Sequence, residues 1–184
     1  MDFIDKIKQD IQSYFGSRGT ITEHQPNVTG NLRDLKSIAL FFCIQTKEEL
    51  MAIRKLLKRI RERNDMATAY VFARSRERLD VITDPSIVYF DLNDFSLFGT
   101  KNEQLKALFD KARPELLISF LADNDRFCYK LASEIHAGFK VGPKMEGPDQ
   151  IYNLILDMND KPFDFIDFYE QTRHYLSILN IKTT

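Results

Sequence analysis

Asp123, Asn124 and Asp125 stand directly behind the apolar run LLISFL at residues 116–121. Carboxylates at the end of a strand can hold a hard cation, which wants several oxygen ligands. A close pair can also share acid/base work, because each carboxylate raises the pKa of the other. Arg74 and Arg76, with Arg78 beyond them, alternate behind a second apolar run at residues 66–73. A guanidinium there suits phosphate or carboxylate, which it reads through two parallel hydrogen bonds. Asp91, Asp94 and Asp157 also fall at or just after apolar runs. The competing use of aspartate at such places is to cap helices and turns, and it is the favoured reading for most of them. Asp123 and Asp125 stand out as exceptions. The candidate ligand contacts are therefore Asp123, Asn124, Asp125, Arg74, Arg76 and Asp157.

Several chemistries find no signature. Gln45-Thr46-Lys47, the first strand-to-helix turn, carries none of the glycines that let a backbone approach phosphate, which argues against a dinucleotide or P-loop site. No serine lies in a Gly-x-Ser-x-Gly elbow. His24, His136 and His174 are far apart and lack metal-ligand spacing, and neither Cys43 nor Cys128 has a histidine nearby in sequence. The expectation is no metal and no cofactor. The two cysteines read as buried free thiols of a reducing compartment, with the cytoplasm as the expected location.

The elements that must position these residues follow from periodicity. Residues 38–44 (IALFFCI) form a continuous apolar run, as in a strand buried on both faces of a parallel sheet. Thr46-Lys47-Glu48-Glu49 has the form of a capping box, and the helix behind it places Leu50, Ile53, Leu57 and Ile60 on one face. Residues 66–73 and 87–90 are the next strands. Thr100-Lys101-Asn102-Glu103 offers a second capping box, and Pro114 stops that helix. Strand 116–121, a helix over about 125–136, a short strand closing at 141–143 and a strand at 151–158 follow. Asp160 and Pro162 are expected to open a terminal helix. Strands alternating with helices imply an α/β, Rossmann-like three-layer sandwich with a mostly parallel sheet of five to six strands.

Residues 31–38 (NLRDLKSI), the block 114–142 with its tail Phe139-Lys140-Val141-Gly142, and residues 152–179 with His174-Tyr175-Leu176 resemble an uncharacterised family of small bacterial proteins. That resemblance implies no activity. Residues 115–142 are also locally similar to the N-terminal half of heptosyltransferase-type glycosyltransferases, which run strand, polar loop, helix and a short strand ending in Val-Gly. This chain has Gln45-Thr46-Lys47-Glu48 where those proteins carry a Gly-Asp loop, and no second Rossmann half. The likeness implies kinship of fold and no transferase activity.

At 184 residues the chain reads as a single domain, with a helix over residues 1–15, a loop over 16–36 and the Rossmann-like body over 37–184. Phe3, Ile4, Ile7, Ile11 and Phe15 line one face of the first helix, which is expected to dock on its own domain or to make a homodimer. The N-terminus is neither a signal peptide nor a span, and no stretch has the uncharged length of a membrane segment. Lys+Arg of 26 against Asp+Glu of 27 leaves a net charge of -1, which argues against nucleic acid as a bulk partner. Arg54, Lys55, Lys58, Arg59, Arg61 and Arg63 do make one helix face basic, but no aromatic platform for bases accompanies them. The residues favour a non-enzymatic binding or interaction module that takes a partner or a small anionic ligand at the strand carboxyl ends. The alternative is a small enzyme acting on a phosphorylated or sugar substrate through Asp123 or Asp125.

Overall fold

The computed structural model of the chain describes residues 35–63, 66–75, 84–96, 99–121, 125–144, 151–157 and 163–178. The expected N-terminal helix and nearly all of the loop behind it lie outside the described residues. In chain order the elements are β1 (Ile38–Ile44), α1 (Lys47–Glu62), β2 (Ala67–Ala73), β3 (Ile87–Asp91), α2 (Glu103–Lys111), β4 (Leu116–Phe120), α3 (Arg126–Glu134), β5 (Phe139–Pro143), β6 (Leu154–Leu156) and α4 (Phe165–Ile178).

The six strands make one sheet in the order β3-β2-β1-β4-β5-β6. Every strand pairing in it is parallel. The two most apolar runs are the two central strands, since both faces and both edges of β1 and β4 are covered. Strand pleating then divides the core. Leu40, Phe42 and Ile44 of β1 pack with Ile53, Leu57 and Ile60 of α1 and Phe168 and Leu176 of α4. Ala39 and Phe41 point the other way, to Leu105 and Phe109 of α2 and Leu131 of α3. The result is the expected three-layer α/β sandwich, with α1 and α4 on one face and α2 and α3 on the other.

Packing within each layer is aromatic. Phe42 and Phe120, level with each other across β1 and β4, stack at 4.5 Å. On the opposite face Phe72 touches Phe90, Phe95 and Phe127. Phe42, Phe72, Phe90 and Phe120 are buried, and each such ring contributes roughly 1.5–3 kcal/mol, while Phe95 and Phe127 are only partly covered. Phe90 and Phe95 therefore cover the β3 side of the sheet.

The caps are partly as expected. Thr46 and Glu49 form a true capping box on α1, with the Thr46 hydroxyl accepting from the Glu49 amide and the Glu49 carboxylate accepting from the Thr46 amide. The second box does not form. Helix α2 starts at Glu103 and its cap is Asn102, whose side-chain oxygen accepts from the Leu105 amide at 2.8 Å. Thr100 instead sits in a turn closed by its bonds to Ser96. Strand β6 is also shorter than residues 151–158: ahead of it the Ile151 amide donates to the Tyr129 hydroxyl at 2.7 Å, and the Asn153 amide donates to the carbonyl of Lys140 on β5 at 2.8 Å. Asp160 and Pro162 lie outside the described residues. Asp164 accepts from the amides of Ile166 and Asp167, directly before the first residue of α4.

Candidate functional site

The strand order reverses between β1 and β4, because the chain winds outward from β1 to β3 and then returns to lay β4 on its other side. In open α/β sheets, ligands bind at the carboxyl ends of the strands at that reversal. Cys43 is the last residue but one of β1, and its side chain faces the α2/α3 layer. Arg74 follows β2 directly. Its amide donates to the Ile44 carbonyl at 2.9 Å, so the backbone of Arg74 continues the β1–β2 ladder by one bond. Asp125 and Cys128 belong to the first turn of α3, which follows β4. Three separate segments thus meet at the reversal.

Arg74 joins them. Its Nε donates to the Cys43 sulfur at 3.0 Å, and its Nη2 reaches the Cys128 sulfur at 3.9 Å. The same Nη2 forms an ion pair with Oδ2 of Asp125. The other oxygen of Asp125 caps α3, accepting from the amides of Phe127 at 2.8 Å and Cys128 at 3.3 Å. One carboxylate therefore closes the helix N-terminus and fixes the guanidinium. The pair is partly open to water, with the Arg74 side chain 25% and the Asp125 side chain 20% exposed.

The electrostatics follow from this closeness. Burial alone would lower the Arg74 pKa, but the Coulombic pull of Cys43, Cys128 and Asp125 outweighs it and holds the group above its ordinary value. Burial pushes the Cys128 thiol well up, and its hydrogen bond with Cys43 adds to that. Cys128 is completely buried and Cys43 half-buried, and both are free cysteines. The two sulfurs and a carboxylate oxygen of Asp125 lie within 4.8 Å of one another, the one such donor set found among the described residues. Among the described residues no histidine completes it, and the Arg74 guanidinium touches all three donors.

Of the six candidate ligand contacts, the structure brings Arg74 and Asp125 together. Asp157 is elsewhere, behind the edge strand β6, and pairs with Lys144 at 2.9 Å. Arg76, Asp123 and Asn124 lie outside the described residues. Asp91 and Asp94 act as caps: Asp91 accepts from the Asn93 amide and Asp94 from the Asp91 amide, around the 3-10 turn Leu92–Asp94. The basic face of α1 is answered by acids. Arg59 and Arg63 both reach Glu170, and Arg61 reaches Asp84. The two cysteines were legible only as thiols, since 85 positions separate them in the sequence. The usable signal was that Cys43 ends a strand while Cys128 sits three residues beyond a cap.

No helix among the described residues is long and apolar enough to cross a membrane. No curated protein and no solved structure matches the chain. A family model does, over residues 11–179, which takes in every element described above. With nearly the whole chain inside that match, this protein belongs to the family of unknown function DUF6913.

Proposed function

We propose that the strand-end edge around Arg74 binds a small anionic ligand, and that the protein is a binding or interaction module built around that contact. The observation that carries this reading is the guanidinium itself, held at the sheet reversal by Cys43 on one side and Asp125 on the other. Held by two partners, it loses little side-chain entropy on meeting a ligand. Among the described residues its bonds run through Nε and Nη2, which leaves Nη1 toward a phosphate or carboxylate oxygen. The amides at the start of α3 add a favourable dipole, although Asp125 takes the first share of it. An enzyme using Asp125 as acid or base is less well supported, because both its oxygens are already engaged. Nucleic acid is the poorer partner for this basic face of α1, where Arg59 and Arg63 pair with Glu170 and Arg61 pairs with Asp84.

Isothermal titration with inorganic phosphate, citrate and a set of sugar phosphates tests the reading. At least one of them binds wild type, Arg74→Lys weakens it about tenfold through loss of the forked geometry, and Arg74→Met abolishes it. Binding that persists unchanged in Arg74→Met contradicts the assignment.

A further inference from the structure

We propose that Cys43 and Cys128 form a thiol pair that a hydroperoxide converts reversibly to an intramolecular disulfide. The inference shares residues with the anion site without resting on it, since the thiols can react whether or not Arg74 holds a ligand. Three observations support it. The two sulfurs lie within 4.8 Å of each other, so closing to the ~2.05 Å of a disulfide is a matter of side-chain and small backbone movement. They also differ in setting: Cys43 is half-buried at the rim of the sheet, whereas Cys128 is sealed beneath it. Finally, Arg74 donates to the Cys43 sulfur at 3.0 Å, so negative charge carried by that sulfur during reaction is met by a permanent cation.

These settings assign the roles. The thiolate of Cys43 attacks one peroxide oxygen, the O–O bond breaks, and the departing oxygen takes a proton to leave as water or an alcohol. Cys43 is then a sulfenic acid. The Cys128 sulfur, giving up its proton, attacks the Cys43 sulfur. The S–S bond forms as the S–O bond breaks, and the oxygen leaves as water. Two electrons pass from the two sulfurs to the peroxide, which is the only oxidant required. A thiol such as glutathione reverses the change by exchange. A soft divalent cation on the same two sulfurs and Asp125 is the competing use, but it would have to displace the guanidinium that touches every donor.

The test uses the full-length chain, reduced and metal-free. Treatment with one equivalent of hydrogen peroxide, alkylation and peptide mapping should give a Cys43–Cys128 linked peptide that dithiothreitol removes. Cys128→Ser should leave Cys43 as a sulfenic acid trapped by dimedone, and Cys43→Ser should leave Cys128 unreacted. Arg74→Met should slow the first step about tenfold, the worth of one charge-assisted contact. Thermal unfolding of each reduced variant, within a few degrees of wild type, shows that the effect is not loss of fold. Linkage between chains only, or two thiols surviving excess peroxide, would overturn the proposal. So would one tightly held equivalent of zinc that protects both thiols in wild type and leaves Arg74 dispensable.

Discussion

Arg74 and Lys140 are both cations drawn out of water on the same sheet, and they are treated in opposite ways. Arg74 stands where the strand order reverses and is met by a carboxylate and two sulfurs, which hold its pKa above the ordinary value despite burial. Lys140, on β5, is 6% exposed, and its ammonium donates to the Ser133 carbonyl at 2.8 Å, with no carboxylate paired to it among the described residues. Burial lowers its pKa to about 8. The contrast separates a cation the fold keeps charged from one the fold merely tolerates. The proposed anion contact is the first.

The region around Lys140 is governed by packing, and its largest response should be steric. A Cβ added at Gly142, two residues further along β5, would lie 2.2 Å from the Tyr152 ring. Tyr152 is itself buried against Tyr129, with ring centroids 5.7 Å apart, so it has little room to retreat. Gly142→Ala should therefore cost about 3 kcal/mol, the upper part of the range for overpacking, in chemical denaturation. A cost near zero would show that β5 and Tyr152 are free to move apart.

Replacing the tolerated charge should help. Lys140→Met is expected to stabilise the protein at pH 7 by about 2 kcal/mol, somewhat below the ceiling that a shift from 10.5 to about 8 allows. The pH dependence gives the sign. Below pH 8 the lysine is protonated in both states and the burial penalty is present in full. Between 8 and 10.5 the unfolded chain binds more protons, so stability rises with pH, and above 10.5 the penalty is gone. Subtracting the Lys140→Met profile from wild type isolates this rise from the titration of Tyr152. A flat difference would end the comparison from the Lys140 side.

The Arg74 cluster should respond the other way. Asp125→Ala removes a helix cap and the partner of Arg74 together, at about 2 kcal/mol, whereas Arg74→Met should cost about 1 kcal/mol because the pair is partly solvated. If Arg74→Met proved stabilising, as Lys140→Met is expected to be, Arg74 would be another tolerated charge.

The smallest effects bear on how much the sequence could reveal. Asn102→Ala should cost about 1 kcal/mol and Thr100→Ala less than about 0.5 kcal/mol, because Asn102 is the actual cap of α2. Thermal unfolding resolves the two. The capping-box pattern at Thr100 failed because a local motif says only what could pair. At Asn102 a side chain two residues later competed for the same helix start. The strands were more legible, since residues 38–44 are apolar throughout and a central parallel strand is covered on both faces, with all but Ile38 and Cys43 buried. Asp125 and Arg74 could be nominated from their places after strands. The cluster itself could not, because it depends on β4 lying beside β1, and strand adjacency is a long-range property that no local spacing encodes. Cys43 and Cys128 became a pair only through that adjacency.

The central claim is that Arg74 is the group an anion meets, and its own Nε–H reports on it most directly. In a chain labelled with nitrogen-15 arginine, assigned through Arg74→Lys, phosphate should shift the Arg74 Nε–H signal in a saturable way. The Arg59, Arg61 and Arg63 signals should move only slightly, and Lys140→Met should leave the titration unchanged. A saturable shift at the α1 arginines with a stationary Arg74 signal would contradict the account.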